Sequence, residues 1–288
     1  MKWYKQCLDS LQTSSIPMET IVIDNNSSDN TVNFIKENYP EIHLVESKEN
    51  LGFGKANNIG FKYAIEQNAD YVFLLNQDAY VMPATIEQLC FQMKKNPEYG
   101  ILSPIHLNGT EQGLDIHFSR YISPTNCPTL ISDYIAKGMA ENRVYPIRFV
   151  NAALWLVSRE CLDKIGGFCP LFYHYGEDSN YADRLLYHQV KIGIYPLAKA
   201  IHDRAQKKEK VSDEQRAKRF QVNSLLVLCN INHSVLFGLL MFMYQVITGM
   251  VNNKFKFFYI KTWFKLLFMI PQIIKHRNTM KKLMPNYI

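Results

Sequence analysis

The stretch YVFLLNQD, Tyr71–Asp78, decides the fold: five apolar residues in a row, stopped by three polar ones. A run this short and this evenly apolar reads as a strand buried on both faces, in a sheet covered by helices on either side. A helix-like stretch from Ala84 to Lys95 follows it. Working back, ETIVID (Glu19–Asp24) precedes a helix-like stretch from Asp29 to Asn38, and IHLVE (Ile42–Glu46) precedes one around Ala56 to Gln67. Strands alternating with helices predict an α/β domain on a mostly parallel sheet, with ligands at the carboxyl ends of the strands.

Those strand ends carry the polar residues. The triplet Asn76-Gln77-Asp78 puts a carboxylate where a buried strand meets solvent, and Mg²⁺ or Mn²⁺ needs only one or two such oxygens when substrate phosphates complete its shell. An Asp capping a strand-to-helix turn is the other reading. In DNNSSDNT (Asp24–Thr31), Ser28 or Asp29 suits a helix cap, and Asp24 is left for a ligand, with Asn26 beside it. NLGFGKANNIG (Asn50–Gly60) has glycines where backbone can approach a phosphate or enter a helix tightly, although it misses the P-loop and dinucleotide spacings.

Further along, FYHYGED (Phe172–Asp178) is an aromatic run ending in two carboxylates that open a helix continuing through Arg184. The aromatics can wall a sugar ring, and a carboxylate at a helix start suits a general base; an acidic first turn is the plain alternative. Between Gly100 and that run, Pro104, Asn108-Gly109 and Pro124 break the pattern into irregular segments. His202 follows a strand-like IGIYPL (Ile192–Leu197) and by itself indicates nothing.

In this order the segments resemble family 2 glycosyltransferases of the GT-A fold, in particular the rhamnosyltransferase-like members that build bacterial surface polysaccharides. The resemblance runs from Lys2 to Arg204. VIDNNSSDNT is similar to the nucleotide-binding strand end, ENLGFGKANNIG to the donor-side loop, and LLNQDA to the metal-binding triplet. NAALWLVSRE (Asn151–Glu160) with IGGF (Ile165–Phe168) resembles the stretch before the acceptor site, and FYHYGEDSNYADR the catalytic helix. The resemblance implies that Asp78 ligates Mg²⁺ or Mn²⁺ on the donor diphosphate, with Asn76 beside it and His202, in AIHDR, as a further metal or diphosphate contact. It implies that Asp24, Asn26, Asn50, Gly52, Asn57 and Asn58 line the donor site. It also makes Asp178, next to Glu177, the base that takes the acceptor proton in an inverting transfer.

The metal triplet begins with Asn76 where Asp is commoner. The family pattern also begins with an apolar strand that has no counterpart here, since Trp3–Leu11 matches the helix after it. The expectation is therefore a catalytic domain over residues 1–205, truncated relative to the family, in which the missing central strand leaves two interior edges unpaired. An inactive remnant that keeps its membrane association is the alternative to an active enzyme.

Residues 206–288 differ in kind. They hold fourteen Lys or Arg against three Asp or Glu, a net of +11, so of the chain's +6 the remainder carries −5. Val235–Val251 is largely apolar, and beyond it Lys254, Lys256, Lys261 and Lys265 alternate with Phe255, Phe257, Phe258, Tyr259, Trp263, Phe264 and Phe268. Charge interleaved with large apolar side chains describes a helical tail on an anionic membrane surface and argues against nucleic acid. A single span or a helical oligomer interface are the other readings. The expected setting is the cytoplasmic face of a bacterial inner membrane, where a saccharide or lipid-linked saccharide acceptor is presented to a nucleoside-diphosphate sugar donor. Six scattered cysteines without a C-x-x-C pair read as reduced structural thiols.

Overall fold

A computed structural model describes residues 3–204, 212–252, 257–284 and 286–288. The chain runs α1 (Tyr4–Gln12), β1 (Ile21–Asp24), α2 (Thr31–Asn38), β2 (His43–Glu46), α3 (Gly52–Glu66), β3 (Tyr71–Leu75), β4 (Ala79–Val81), α4 (Thr85–Lys95) and β5 (Tyr99–Leu107). It continues through α5 (Phe118–Tyr121), α6 (Pro128–Lys137), β6 (Tyr145–Ile147), β7 (Leu154–Ser158), α7 (Arg159–Ile165), α8 (Glu177–Tyr187) and β8 (Lys191–His202). The tail holds α9 (Asp213–Cys229), α10 (Val235–Asn252), α11 (Phe257–Phe268) and α12 (Ile270–Met280).

The α/β class is as expected, but the sheet is mixed. β1 and β2 pair in parallel as one piece, and β5 pairs β8 in parallel in a second piece ordered β3-β7-β5-β8-β4, with β6 on β8. The remaining pairs are antiparallel. They involve β4, β6 and β7, which lie outside the three βα repeats that the apolar pattern marks. Among the described strands, β1 is paired with β2 alone and β3 with β7 alone. The helix α3 packs on both β1 and β3.

The stretch after Gly100, read as irregular, opens with the nine-residue strand β5, buried along nearly its whole length. Pro104 does not break it. The β5–β8 register shifts between Ser103 and Ile105, so the proline sits at an irregularity where no ladder N–H is required. β8 likewise runs past Leu197 to His202, carrying that histidine to a strand end.

The core under α3 and α8 is aromatic. Phe168 lies 5.6 Å from Phe61, 6.1 Å from Trp155 and 5.2 Å from Tyr181, ring centre to ring centre, and all four are fully buried. The glycines of IGGF let the chain reach this point: Gly166 has φ +82°, and a Cβ on Gly167 would meet Asn58 at 2.4 Å. The cysteines are free thiols, and all but Cys90 are buried.

The boundary expected at 205/206 lies outside the described residues, as do Lys254, Phe255 and Lys256. The tail nevertheless packs on the body. Cys169 and Phe172 share an apolar cluster with α9, α10, α11 and α12, and the Gly167 N–H donates to the Asn286 carbonyl at 2.7 Å. Buried Arg277 donates to the carbonyls of Leu228, Asn230 and His233, satisfying the end of α9.

Candidate active site

Asp78 sits in a tight turn, not at a helix start. The Ala79 N–H donates to the Asn76 carbonyl at 3.0 Å, and the chain returns at once as β4, which the apolar pattern does not foretell. β4 lies antiparallel to the end of β8 with Ala79 opposite His202, and the Asp203 N–H donates to the Asp78 carbonyl at 2.8 Å. Residues more than 120 positions apart are thereby set side by side. His202 Nε2 is 3.2 Å from Asp78 Oδ1, with the histidine side chain 2% exposed and the carboxylate 26%. Burial pushes the Asp78 carboxyl up, but the hydrogen bond from His202 and the positive charge of Arg204 outweigh it and hold the group below its usual range.

Two residues that sequence reasoning did not single out complete this corner. Arg204 places Nη2 3.1 Å from His202 Nδ1 and Nε 3.2 Å from Asp115 Oδ2. Asp115 is buried and uses Oδ1 to accept the N–H groups of His117 and Phe118 at the start of α5. Asp115 lies in a stretch without periodicity, so no pattern exposed it; Arg204 was visible only as a neighbour of His202.

Asp178 opens α8 behind Gly176, whose φ is +90°. Burial raises its carboxyl pKa, against which the Ser179 N–H (2.7 Å to Oδ1) and the Ser179 hydroxyl pull down. Glu177 is more enclosed. Burial, with the Asp178 charge adding to it, pushes Glu177 up to about 7, and its Oε2 has no hydrogen-bond partner among the described residues.

NAALW joins the two centres. The Asn76 N–H donates to the Ala153 carbonyl at 3.0 Å, while the Ala152 backbone lies near enough to the Asp178 carboxylate to lower its pKa. Consecutive residues, with Cα atoms about 3.8 Å apart, thus lie beside the Asp78 turn and the Asp178 carboxylate. Both alanines are buried, and their small side chains allow the approach. Tyr121 lies within electrostatic reach of Asp178 and Arg204: burial raises its pKa, the Asp178 charge adds to the rise, and Arg204 opposes it.

At the strand end where the donor is expected, Asn25 fastens β1 to the loop before α3. Its Oδ1 accepts the Leu51 N–H at 2.6 Å, and its Nδ2 donates to Asn50 Oδ1 and the Gly52 carbonyl, both at 3.2 Å. Asn26 is exposed with φ 65° and makes the turn. Asp24 is buried, accepts the Ser27 N–H at 3.1 Å, and shapes the same turn. Asn50 accepts the Gly52 N–H through Oδ1 and the Tyr173 hydroxyl through its carbonyl, at 3.0 Å, so this loop touches the aromatic run before α8.

Asn57 and Asn58, expected as donor contacts, are spent inside the protein. Asn57 Nδ2 donates to the Phe53 carbonyl one turn back. Asn58 holds Phe168 from both sides, accepting its N–H at 2.7 Å and donating to its carbonyl at 2.9 Å. Helix packing on IGGF explains Asn58 and a bond within its own helix explains Asn57, and nothing in the local sequence separates those roles from ligand binding.

The Asp78–His202 pair fits a divalent cation that keeps positions for substrate oxygens: one hard carboxylate beside one imidazole nitrogen, at a strand end. Among the described residues no cluster of three or more His, Cys, Asp or Glu could hold a metal without such help.

Known proteins place the chain. The hexosyltransferase Agl10 of low-salt glycan biosynthesis in Haloferax volcanii is 26% identical over 189 residues, 64% of this chain; the match spans 59% of that protein's own length. The N-acetylglucosaminyl-diphospho-decaprenol L-rhamnosyltransferase of Mycobacterium tuberculosis is 25% identical over 218 residues, 66% of this chain and 67% of the relative. Among solved structures, S. aureus TarS 1-349 superposes with a TM-score of 0.58 at 17% identity, over 96% of this chain and 78% of that one. GalNAc-T7, solved with UDP, GalNAc and Mn²⁺, gives 0.54 at 12% identity, over 79% and 47%. These likenesses show the GT-A fold. The model for "Glycosyl transferase family 2" matches residues 2–166, a span that includes the Asp24, Asn50 and Asp78 segments and ends before α8, and the chain belongs to that family.

Proposed function

We propose that this protein is an inverting glycosyltransferase that moves a sugar from a nucleoside-diphosphate sugar to a saccharide acceptor. Asp78 and His202 hold Mg²⁺ or Mn²⁺, and Asp178 acts as general base. The observation that supports this reading is the buried stretch Ala152–Ala153, which bonds the Asp78 turn through the Ala153 carbonyl and passes beside the Asp178 carboxylate of raised pKa. A base must be near the acceptor hydroxyl while the diphosphate leaves from the opposite side of the anomeric carbon, and such positioning supplies much of the rate. The chemistry a divalent cation supplies there is neutralisation of the charge that grows on the departing nucleoside diphosphate.

Asp178 takes the acceptor proton as the oxygen attacks. Its raised pKa strengthens it as a base, while the Ser179 N–H keeps one oxygen oriented. Tyr173 and Tyr175, 58% and 69% exposed, offer faces for an acceptor sugar. Asp24, Asn26, Asn50, Gly52 and Asn76 supply the nucleotide side. The rhamnosyltransferase relative supports deoxythymidine-diphosphate rhamnose as first donor to try and a lipid-linked acceptor. Asp178→Asn should cut turnover by roughly 10² to 10⁴ with donor affinity kept, scored as nucleoside-diphosphate release with and without Mn²⁺; transfer at the parental rate would sink the assignment. The second reading, an inactive remnant, draws on the lack of a further partner for β1 and β3 among the described strands; it predicts no release with any donor.

The tail supports attachment to an anionic membrane. α10 turns Phe242 and Val246 inward and leaves Leu236, Leu240, Met243, Tyr244, Ile247 and Val251 exposed at helical spacing. Phe257, Phe264 and Phe268 are exposed on α11, where Lys261 and Lys265 supply positive charge. No single described helix is long and apolar enough to cross a membrane; α11 with α12, bent by 61°, passes by length and composition as a pair. Binding to anionic vesicles that falls with salt, and that Leu240→Asp with Ile247→Asp abolishes, is the expected behaviour at the cytoplasmic face of an inner membrane. Release by detergent alone would point to a span.

A further inference from the structure

The helix that carries Asp178 is held from two sides. Tyr181 and Leu185, three and seven residues beyond Asp178 and so on its own face of α8, are fully buried in the main core. Asn180, Asp183 and Arg184 fall on the opposite face, and there the tail lies against the helix. Asn180 and Arg184 are each 1% exposed. Asn180 Nδ2 donates to Met280 Sδ at 3.5 Å, the Arg184 guanidinium carbon is 5.2 Å from the Tyr287 ring centre, and Asn232, just past α9, donates from Nδ2 to the Asp183 carbonyl at 2.9 Å. The contacts extend to both ends of α8: a Cβ on Gly176 would lie 2.8 Å from Val222 Cγ1 of α9, and His188 Nε2 is 2.8 Å from the Met280 carbonyl oxygen.

Ser179, which gives the Asp178 carboxylate its N–H and its hydroxyl, belongs to the same helix, so it orients the carboxylate without fixing it to the body. Asp178 goes where α8 goes. A base must stay within hydrogen-bond reach of the hydroxyl it deprotonates, and a displacement of about 1 Å can cost about 10²-fold in rate. The core face limits movement of α8 in one direction; contact on the opposite face keeps it from backing away. That contact is polar and sparse: a thioether is a weak acceptor, and Asn180 Oδ1 has no partner among the described residues. Small changes in the tail therefore reach Asp178.

We propose that the tail is the seat of the base: α9 and the segment from Met280 to Tyr287 press on the back of α8 and hold Asp178 at its working position, with Asn180, Met280 and Asn232 as positioning residues. The inference rests on the reading of Asp178 as the general base. The bundle that leaves Leu240 and Ile247 of α10 exposed on its outer side thus bears with its inner side on the helix of the base. None of the three positioning residues touches the reacting atoms in this scheme; each acts through the placement of α8.

The test uses the full chain, with kcat per folded molecule read from nucleoside-diphosphate release. Met280→Ala opens a cavity behind Asn180 and should lower kcat about ten- to hundredfold while donor KM stays within about twofold, since uniform donor binding is untouched. Met280→Leu refills the space and should bring kcat back to within about threefold of the parent. Asn232→Ala, at an exposed side chain, should lower kcat about two- to fivefold, and it decides alone if Met280→Ala does not fold. Val246→Ala, buried on α10 in the same apolar cluster, should leave kcat unchanged. Hydrogen exchange at the Asn180 amide, which donates to the Gly176 carbonyl at 2.8 Å, needs no substrate and should quicken at least about threefold in Met280→Ala and Asn232→Ala. Unchanged exchange, parental kcat in both variants, no rescue by Met280→Leu, or an equal fall in Val246→Ala overturns the seat. With Asp178→Asn impaired, those results overturn the seat alone; Asp178→Asn at the parental rate overturns the base and the seat with it.

Discussion

Gly52→Ala, compared with Gly60→Ala in the same helix, tests whether the donor loop and the aromatic run before α8 form one mechanical unit. Gly52 opens α3 with φ +76°, and a Cβ there would lie 1.9 Å from the Tyr173 carbonyl oxygen and 2.9 Å from its carbon. Neither is the free end of a side chain, so a loop must move. A left-handed alanine costs about 1–2 kcal/mol, and losing the Tyr173 hydroxyl bond to the Asn50 carbonyl costs about 1 kcal/mol more. The expected loss is therefore about 2–3 kcal/mol in urea denaturation at constant slope, with weaker donor binding because Asn50 and Asn25 shift together. At Gly60 nothing lies within 4 Å of the added Cβ. Alanine there should stabilise by about 0.5–1 kcal/mol through helix propensity alone. A Gly52→Ala protein within 0.5 kcal/mol of the parent, or equal losses at both positions, would refute the reasoning.

Glu177→Gln should change how stability depends on pH. Burial raises this carboxyl from 4.5 to about 7, so the folded state holds its proton more tightly than the unfolded one. That contribution is complete below about 4.5 and is lost as pH rises through 7, up to roughly 3 kcal/mol by linkage. The Gln variant should be the more stable protein at pH 8, and denaturation curves at pH 5 and 8 that shift equally for both proteins contradict this. Arg184→Met removes the donors to the Ile165 and Gly167 carbonyls from a side chain 1% exposed. It should cost about 3 kcal/mol in the same denaturation assay, since buried carbonyls are left unpaired; a loss under 1 kcal/mol would mean that water replaces the guanidinium.

Much of the fold was legible because burial on both faces leaves a local mark. YVFLL, IVID and HLVE are continuous apolar runs, and each is a strand within one or two residues of its expected limits. The carboxylates of FYHYGED do open a helix. Pairing partners leave no such mark. β4 is three residues long, and β5 carries a proline, so neither period nor propensity marks them fully. Asparagine is ambiguous for another reason: Asn58 and Asn50 look alike in the chain, yet one clamps Phe168 while the other accepts the Gly52 N–H in the loop before α3.

The ordered motifs alone determined the α/β class, the family and the presence of a basic, apolar tail, because buried strands, capped helices and charge asymmetry are properties of neighbouring residues. The tertiary structure decided what stands beside Asp78. His202 comes to it through the β4–β8 pairing, Asp178 through Ala152 and Ala153, and Arg204 with Asp115 through the end of β8. Those are contacts across long sequence separations, fixed by strand register and by close approach of small residues, and no local pattern encodes them.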